Sequence, residues 1–137
     1  MKPRPLSLSA ALILGTVVCG LALRLLRLGL PTPVVKYGGS VLWALMIFWI
    51  VSTLLPTKPL RLEVLASAAV CTLVECFKLY HTPRLDAFRL TLPGALLLGR
   101  FFSIEDLVAY GLGLAAGTLV DSRLRAMRQQ PGSDSDA

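Results

Sequence analysis

The chain is short of most of what a soluble enzyme is built from. Of its 137 residues only 8 are acidic and one is a histidine, and charged residues of both signs reach only 16%, against roughly 25% in an average soluble domain. So few polar side chains cannot cover the water-facing surface that a domain of this size must keep, which argues against a soluble globular protein. The three cysteines, Cys19, Cys71 and Cys76, are odd in number and form no C-x-x-C pair, so a disulfide scaffold is excluded and a filler role in apolar surroundings is expected. One histidine without a Cys/His cluster leaves no zinc site, and no cofactor is expected. No nucleophile–base pattern is present, and His81 lies outside any recognisable phosphatase motif, so the reading leans away from an enzyme. Basic residues are not interleaved with aromatics as in a nucleic-acid module, so no nucleic-acid partner is expected.

What the chain has is apolar length. Hydrophobic residues make up 55%, and mean hydropathy is +0.69. A membrane helix needs about 20 mostly apolar residues to cross roughly 30 Å of hydrocarbon. Leu6 to Leu23 and Tyr37 to Leu55 are uncharged over 18 and 19 residues. Between Glu63 and Glu75 only 11 residues are uncharged, about 16 Å of helix, so a third span must run from about Leu62 to Tyr80 and carry Glu75 with it. Leu107 to Val120 gives 14 residues, about 21 Å, so a fourth span must take in Glu105 and Asp106 or sit in thinned bilayer. The expectation is an all-α membrane protein: one domain over 1–128, with four transmembrane helices at about 6–26, 37–55, 62–80 and 104–122. Leu90 to Gly99, uncharged and broken by Pro93-Gly94, is too short to cross and reads as a re-entrant or interfacial segment between helices three and four. Residues 129–137 read as a disordered polar tail. Lys2 and Arg4 ahead of the first apolar run would also fit a signal peptide. Against that stand the length of the run, the lack of an A-x-A site and three further apolar segments.

Four spans put both termini on one side, and Lys and Arg divide seven to seven between the two sides. Arg123, Arg125 and Arg128 read as a basic patch for anionic lipid headgroups, which favours cytoplasmic termini in the inner (plasma) membrane. Net charge of +6 is assigned to membrane lipids as partners. Ser103 with Asp106 three residues on reads as a capping-box variant opening the last helix. Small residues recur every four positions at Ser7, Ala11, Gly15 and Cys19 and again at Ala109, Gly113 and Gly117. In lipid such spacing lets helix backbones approach closely, either within the bundle or across a homo-oligomer.

The candidate site is a layer of charge near one membrane face. Glu75 near the end of span three, Asp106 near the start of span four and Asp86 between them share that face with Arg24, Lys36, Arg84 and Arg89. A lone ion in hydrocarbon costs about 2.5–3.5 kcal/mol, so Glu75 must turn inward and find a cation or a proton. Ser67, Cys71 and Glu75 share one helical face, with Lys78 a turn further on. Three roles stay open for this layer: a structural ion-pair network, a headgroup site lined by guanidinium groups that suit phosphate, or a proton or ion path.

Several stretches together resemble a small bacterial inner-membrane family catalogued as a domain of unknown function, some of whose members carry a YjgA ribosomal-maturation label. They are Lys36-Tyr37-Gly38-Gly39-Ser40 with Leu42-Trp43-Ala44, Glu75 with Lys78-Leu79-Tyr80-His81, Pro83-Arg84-Leu85-Asp86-Ala87-Phe88-Arg89, and Leu98-Gly99-Arg100 through Phe102-Ser103 to Asp106-Leu107, Tyr110 and Gly113. The likeness runs from about Arg24 to Asp121. It departs at Ser40, where the family often has Asp, and at Lys78, where it often has Gln. The order of an acid in span three, Arg in the next loop and Asp opening span four is also similar to VanZ-like proteins, and implies a cell-envelope role. Residues and resemblance together point to a non-enzymatic, envelope-associated membrane protein that binds a lipid or lipid-linked headgroup. The alternatives are a small oligomeric transporter or ion-coupled carrier and a structural partner subunit of a membrane complex.

Overall fold

The computed structural model describes residues 4–26, 29–97 and 103–129. Every described element is helical: α1 (Leu6–Leu25), α2 (Thr32–Leu54), α3 (Leu60–Phe77), α4 (Pro83–Arg89), α5 (Leu92–Leu97) and α6 (Ile104–Gln129). The polar tail from 130 onward and the far end of the 90–99 run lie outside the described residues.

Proline sets where the helices begin. Pro5, Pro31 and Pro59 stand immediately before α1, α2 and α3, where a missing backbone N–H costs nothing. Pro83 opens α4 behind Thr82, whose Oγ1 accepts the Leu85 N–H at 3.2 Å. Pro33 lies in the first turn of α2, which is why this helix starts five residues ahead of its apolar run. Pro93 and Gly94 likewise fall in the first turn of α5 and do not break the segment. Gly29, at φ +71°, supplies the left-handed residue of the α1–α2 connection.

α2 is the hub and packs against α1, α3 and α6, while α3 also packs against α6. Ala109, Gly113 and Gly117 face α2. A β-carbon on Gly113 would collide with the Val41 carbonyl oxygen, and one on Gly117 would stand 2.7 Å from Phe48 Cδ1. Ala109 is buried beside them. On α1 the corresponding stripe turns outward: Ser7, Ala11, Gly15 and Cys19 are exposed, and nothing lies within 4 Å of a β-carbon built on Gly15.

Two apolar layers fill the middle of the bundle. One is Ala44, Cys71 and Tyr110, with Trp43, Ile47 and Leu107 against it. The other is Phe48, Trp49 and Leu114, lined by residues that include Leu12, Leu45 and Val64. The partition is otherwise inverted. Among the described residues 11 polar or charged side chains are buried against 7 hydrophobic ones, while 25 large hydrophobics are exposed. α1 and α2 are long and apolar enough to cross a membrane by length and composition. α3 and α6 are not, because they carry Arg61, Glu63 and Glu75 in one case and Glu105, Asp106, Asp121, Arg123 and Arg125 in the other.

Candidate functional site: two charged layers

Buried charge gathers at both ends of the bundle. At the end where α3 stops and α6 starts, Glu75 is fully buried and accepts three donors. They are Tyr110 Oη at 2.8 Å, the Ser103 backbone N–H at 2.7 Å and Lys78 Nζ at 2.7 Å. Lys78 Nζ also reaches Asp106 Oδ2 at 3.4 Å and Tyr110 Oη at 3.3 Å. Asp106 Oδ1 accepts Ser40 Oγ at 3.0 Å, which ties in α2.

This geometry explains how α6 begins. Ser103 Oγ accepts the Asp106 N–H at 3.4 Å, which is half of a capping box. The reciprocal half does not come from Asp106, whose carboxylate is turned to Ser40 and Lys78. Glu75 supplies it from α3, by taking the Ser103 N–H.

Asp86 and Arg89 do not join this network. From α4 the buried Arg89 side chain reaches back to the end of α3 and donates to the Phe77 and Tyr80 carbonyls at 2.8 Å each. It therefore gives the Tyr80 carbonyl a donor and adds a second one to the Phe77 carbonyl, which already takes the Tyr80 N–H at 3.0 Å. Asp86 takes His81 Nδ1 at 3.0 Å and Arg89 at 3.3 Å. Arg24, Lys36 and Arg84 are exposed at the same end. No acid stands within ion-pair distance of any of the three among the described residues. The seven candidate residues thus divide into a buried floor (Glu75, Asp106), a clip on α3 (Asp86, Arg89) and a cationic rim (Arg24, Lys36, Arg84).

The other end holds a network that the sequence reading missed. Arg125 grips both oxygens of buried Glu63 at 2.9 Å and reaches Asp121 Oδ2 at 2.7 Å. Arg4, just ahead of α1, pairs with Asp121 Oδ1 at 2.7 Å, donates to Ser52 Oγ and lies over the Trp49 ring at 5.1 Å. Two arginines thus balance two carboxylates. Arg125 is therefore an internal tie and not part of a free basic patch, and the side chain of Arg128 lies outside the described residues. The signal was available, because Glu63, Ser67, Cys71 and Glu75 continue one i, i+4 face, and all four are buried. Among the described residues no three His, Cys, Asp or Glu side chains converge as a metal site.

The described chain is thus an all-helical assembly with apolar flanks and paired charge inside each end. It belongs to a family described as "Protein of unknown function (DUF2809)", whose sequence model matches residues 30–114. The matched range spans the end of the α1–α2 connection, α2 to α5 and the first half of α6, and so includes Lys36, Ser40, Glu75, Lys78, Asp106 and Tyr110. The match carries neither the ribosomal-maturation label nor a VanZ-like likeness. No solved structure matches the chain.

Proposed function

We propose that the chain is a four-span, non-enzymatic protein of the cell envelope, with its termini on the cytoplasmic side of the inner membrane. In this reading it binds the phosphate-bearing headgroup of an anionic lipid at the Arg24, Lys36 and Arg84 rim. The inverted partition supports the membrane setting, since side chains that water would expel are outside and those it would solvate are inside. α3 and α6 can then span in spite of their charges, because Glu63, Glu75, Asp106 and Asp121 are all paired internally and none has to face lipid. Their lengths of 18 and 26 residues correspond to about 27 and 39 Å; α6 exceeds the roughly 30 Å hydrocarbon layer, and α3 falls about 3 Å short, a gap met by slight local thinning of the bilayer. α4 and α5, which leave Phe88, Leu90 and Leu92 exposed, suit the interface. Exposed cations are equal in number at the two ends, Lys58, Arg61 and Arg123 against Arg24, Lys36 and Arg84, and the cytoplasmic assignment of the termini rests on the exposed Glu105 beside the second set, with no exposed acid beside the first among the described residues.

One observation carries the functional reading. The buried carboxylates are already engaged within the chain, yet Arg24, Lys36 and Arg84 stand exposed around the same end, and none of them is within ion-pair distance of an acid among the described residues. Guanidinium and ammonium groups in that state are suited to phosphate. The test is native mass spectrometry of the purified protein with its co-extracted lipids. Selective retention of anionic lipid, lost in the Arg24→Glu/Lys36→Glu/Arg84→Glu variant, is the expected result. Retained lipid of bulk membrane composition in both proteins would refute the reading. For topology, single cysteines placed at Lys58 and Thr82 in a cysteine-free background should be labelled from opposite sides of the membrane.

A further inference from the structure

Gly38 and Gly39 lie where the last turn of α1 meets the start of α2. A β-carbon on Gly38 would stand 2.9 Å from Leu23 Cδ2. One on Gly39 would stand 3.1 Å from Arg24 Nε, 3.4 Å from its Nη2 and 3.7 Å from its Cζ. The bare backbone at 39 is therefore what the Arg24 guanidinium rests against. Gly39 is buried beneath it, while Arg24 itself is exposed; the Nε–Nη2 edge faces Gly39, which leaves the Nη1–Nη2 end of the guanidinium for a ligand. Lys36 stands three residues before Gly39 on α2 and so on the same helical side. Its ammonium lies over the Tyr37 ring at 5.2 Å. Glu105 at the head of α6 accepts Ser103 Oγ at 2.7 Å and lies within Coulombic reach of Lys36, so an incoming phosphate has to compete with it for the ammonium.

We infer that Arg24, held in place by Gly39, and Lys36 together form a seat for a phosphomonoester. This deepens the headgroup reading above and rests on it. The argument is one of charge and shape. A phosphomonoester carries about 1.5 to 2 negative charges near neutral pH, which two cations match, whereas a phosphodiester carries one. The planar fork of Arg binds two phosphate oxygens at once, and an ammonium adds charge without that geometry. Gly39 acts as a positioning residue. A larger side chain there meets the mobile end of Arg24 before it meets backbone, so it displaces the guanidinium and leaves the helix pair intact.

The experiment uses the full chain in phosphatidylcholine nanodiscs containing a minority of phosphatidic acid (a monoester) or phosphatidylglycerol (a diester), with retained lipid read by native mass spectrometry. The wild type should prefer phosphatidic acid by about tenfold, the scale of one additional charge-assisted contact. Gly39→Val and Arg24→Gln should each erase that preference. Arg24→Lys, which keeps the charge but not the fork, should weaken retention of both lipids while keeping most of the preference, and Arg61→Gln at the other end should change nothing. Should Gly39→Val fail to fold, Arg24→Gln carries the test alone, because its side chain is at the surface. Wild-type selectivity that survives both Gly39→Val and Arg24→Gln, or equal retention of the two lipids, would overturn the seat and leave the broader headgroup reading standing. No retention of anionic lipid at all would overturn both. Displacement of phosphatidic acid by millimolar inorganic phosphate would keep the Arg24–Lys36 seat and assign it to a soluble phosphate in place of a lipid.

Discussion

The Arg125 tie permits the sharpest quantitative test. Arg125→Met keeps the length of the side chain and removes its charge and donors. Glu63 then loses both 2.9 Å contacts, and Asp121 keeps Arg4 at 2.7 Å but loses the contact to its second oxygen. Two carboxylates, both fully buried, would face one remaining arginine. Breaking one side of a buried pair typically costs about 3–5 kcal/mol. The Arg125 side chain is 18% exposed, which places the expected loss toward the lower figure, about 3 kcal/mol. Adding Glu63→Met to Arg125→Met removes the stranded charge, so the double variant should recover at least about half of the loss. The assay is reversible unfolding in mixed micelles followed by far-ultraviolet circular dichroism, with exposed Lys58→Ala as a control expected within about 0.5 kcal/mol of wild type. A loss below about 1 kcal/mol for Arg125→Met, the scale of a surface pair, would refute the reasoning. So would a double variant less stable than the single.

Other substitutions separate close packing from open space. Gly113→Ala should destabilise by about 1–3 kcal/mol, because its β-carbon would collide with the Val41 carbonyl, whereas Gly15→Ala, with open space around it, should be neutral or gain up to about 1 kcal/mol in the same unfolding assay. Tyr110→Phe should cost about 1 kcal/mol, since Glu75 keeps Ser103 and Lys78. A loss beyond about 3 kcal/mol would mean that the tyrosine holds the whole network. In Gly94→Ala the new β-carbon would overlap the Phe88 carbonyl oxygen. Hydrogen exchange should therefore quicken across α4 and α5 while α2 and α6 stay protected, and a bundle-wide loss of protection would contradict the assignment of that glycine to the α4–α5 contact.

Much of the helical layout is legible because backbone hydrogen bonding leaves few options for long apolar runs. The start of α1 matched its run closely, and the acids at 75 and 106 could be placed at one end simply by counting exits and re-entries. The misses have definite physical causes. Charges from Asp121 to Arg128 read as the end of a span, yet α6 continues to Gln129, because Asp121 and Arg125 pair at i, i+4 and both are drawn inward, Arg125 onto Glu63 and Asp121 onto Arg4. That pairing joins residues 62 and 117 positions apart, and no local pattern announces it. Glu63 reads as a boundary when the small polar stripe is followed back only to Ser67. One more step of four would have reached it. Arg89 looked like a partner for membrane-depth acids, but backbone carbonyls at the end of α3 compete for the same guanidinium and hold it. Ser40 gave no warning of its role, since a hydroxyl does from α2 what a charged donor would otherwise have to do for Asp106.

The segment between α3 and α6 is clipped where it leaves and where it returns: Arg89 fastens its first helix to the carbonyls of Phe77 and Tyr80, and Glu75 fastens its last residue, Ser103. Neither clip draws on the residues from 90 to 97. That stretch therefore bears on the packing of α4 against α5, through Gly94 and the Phe88 carbonyl, and not on the register of the four long helices.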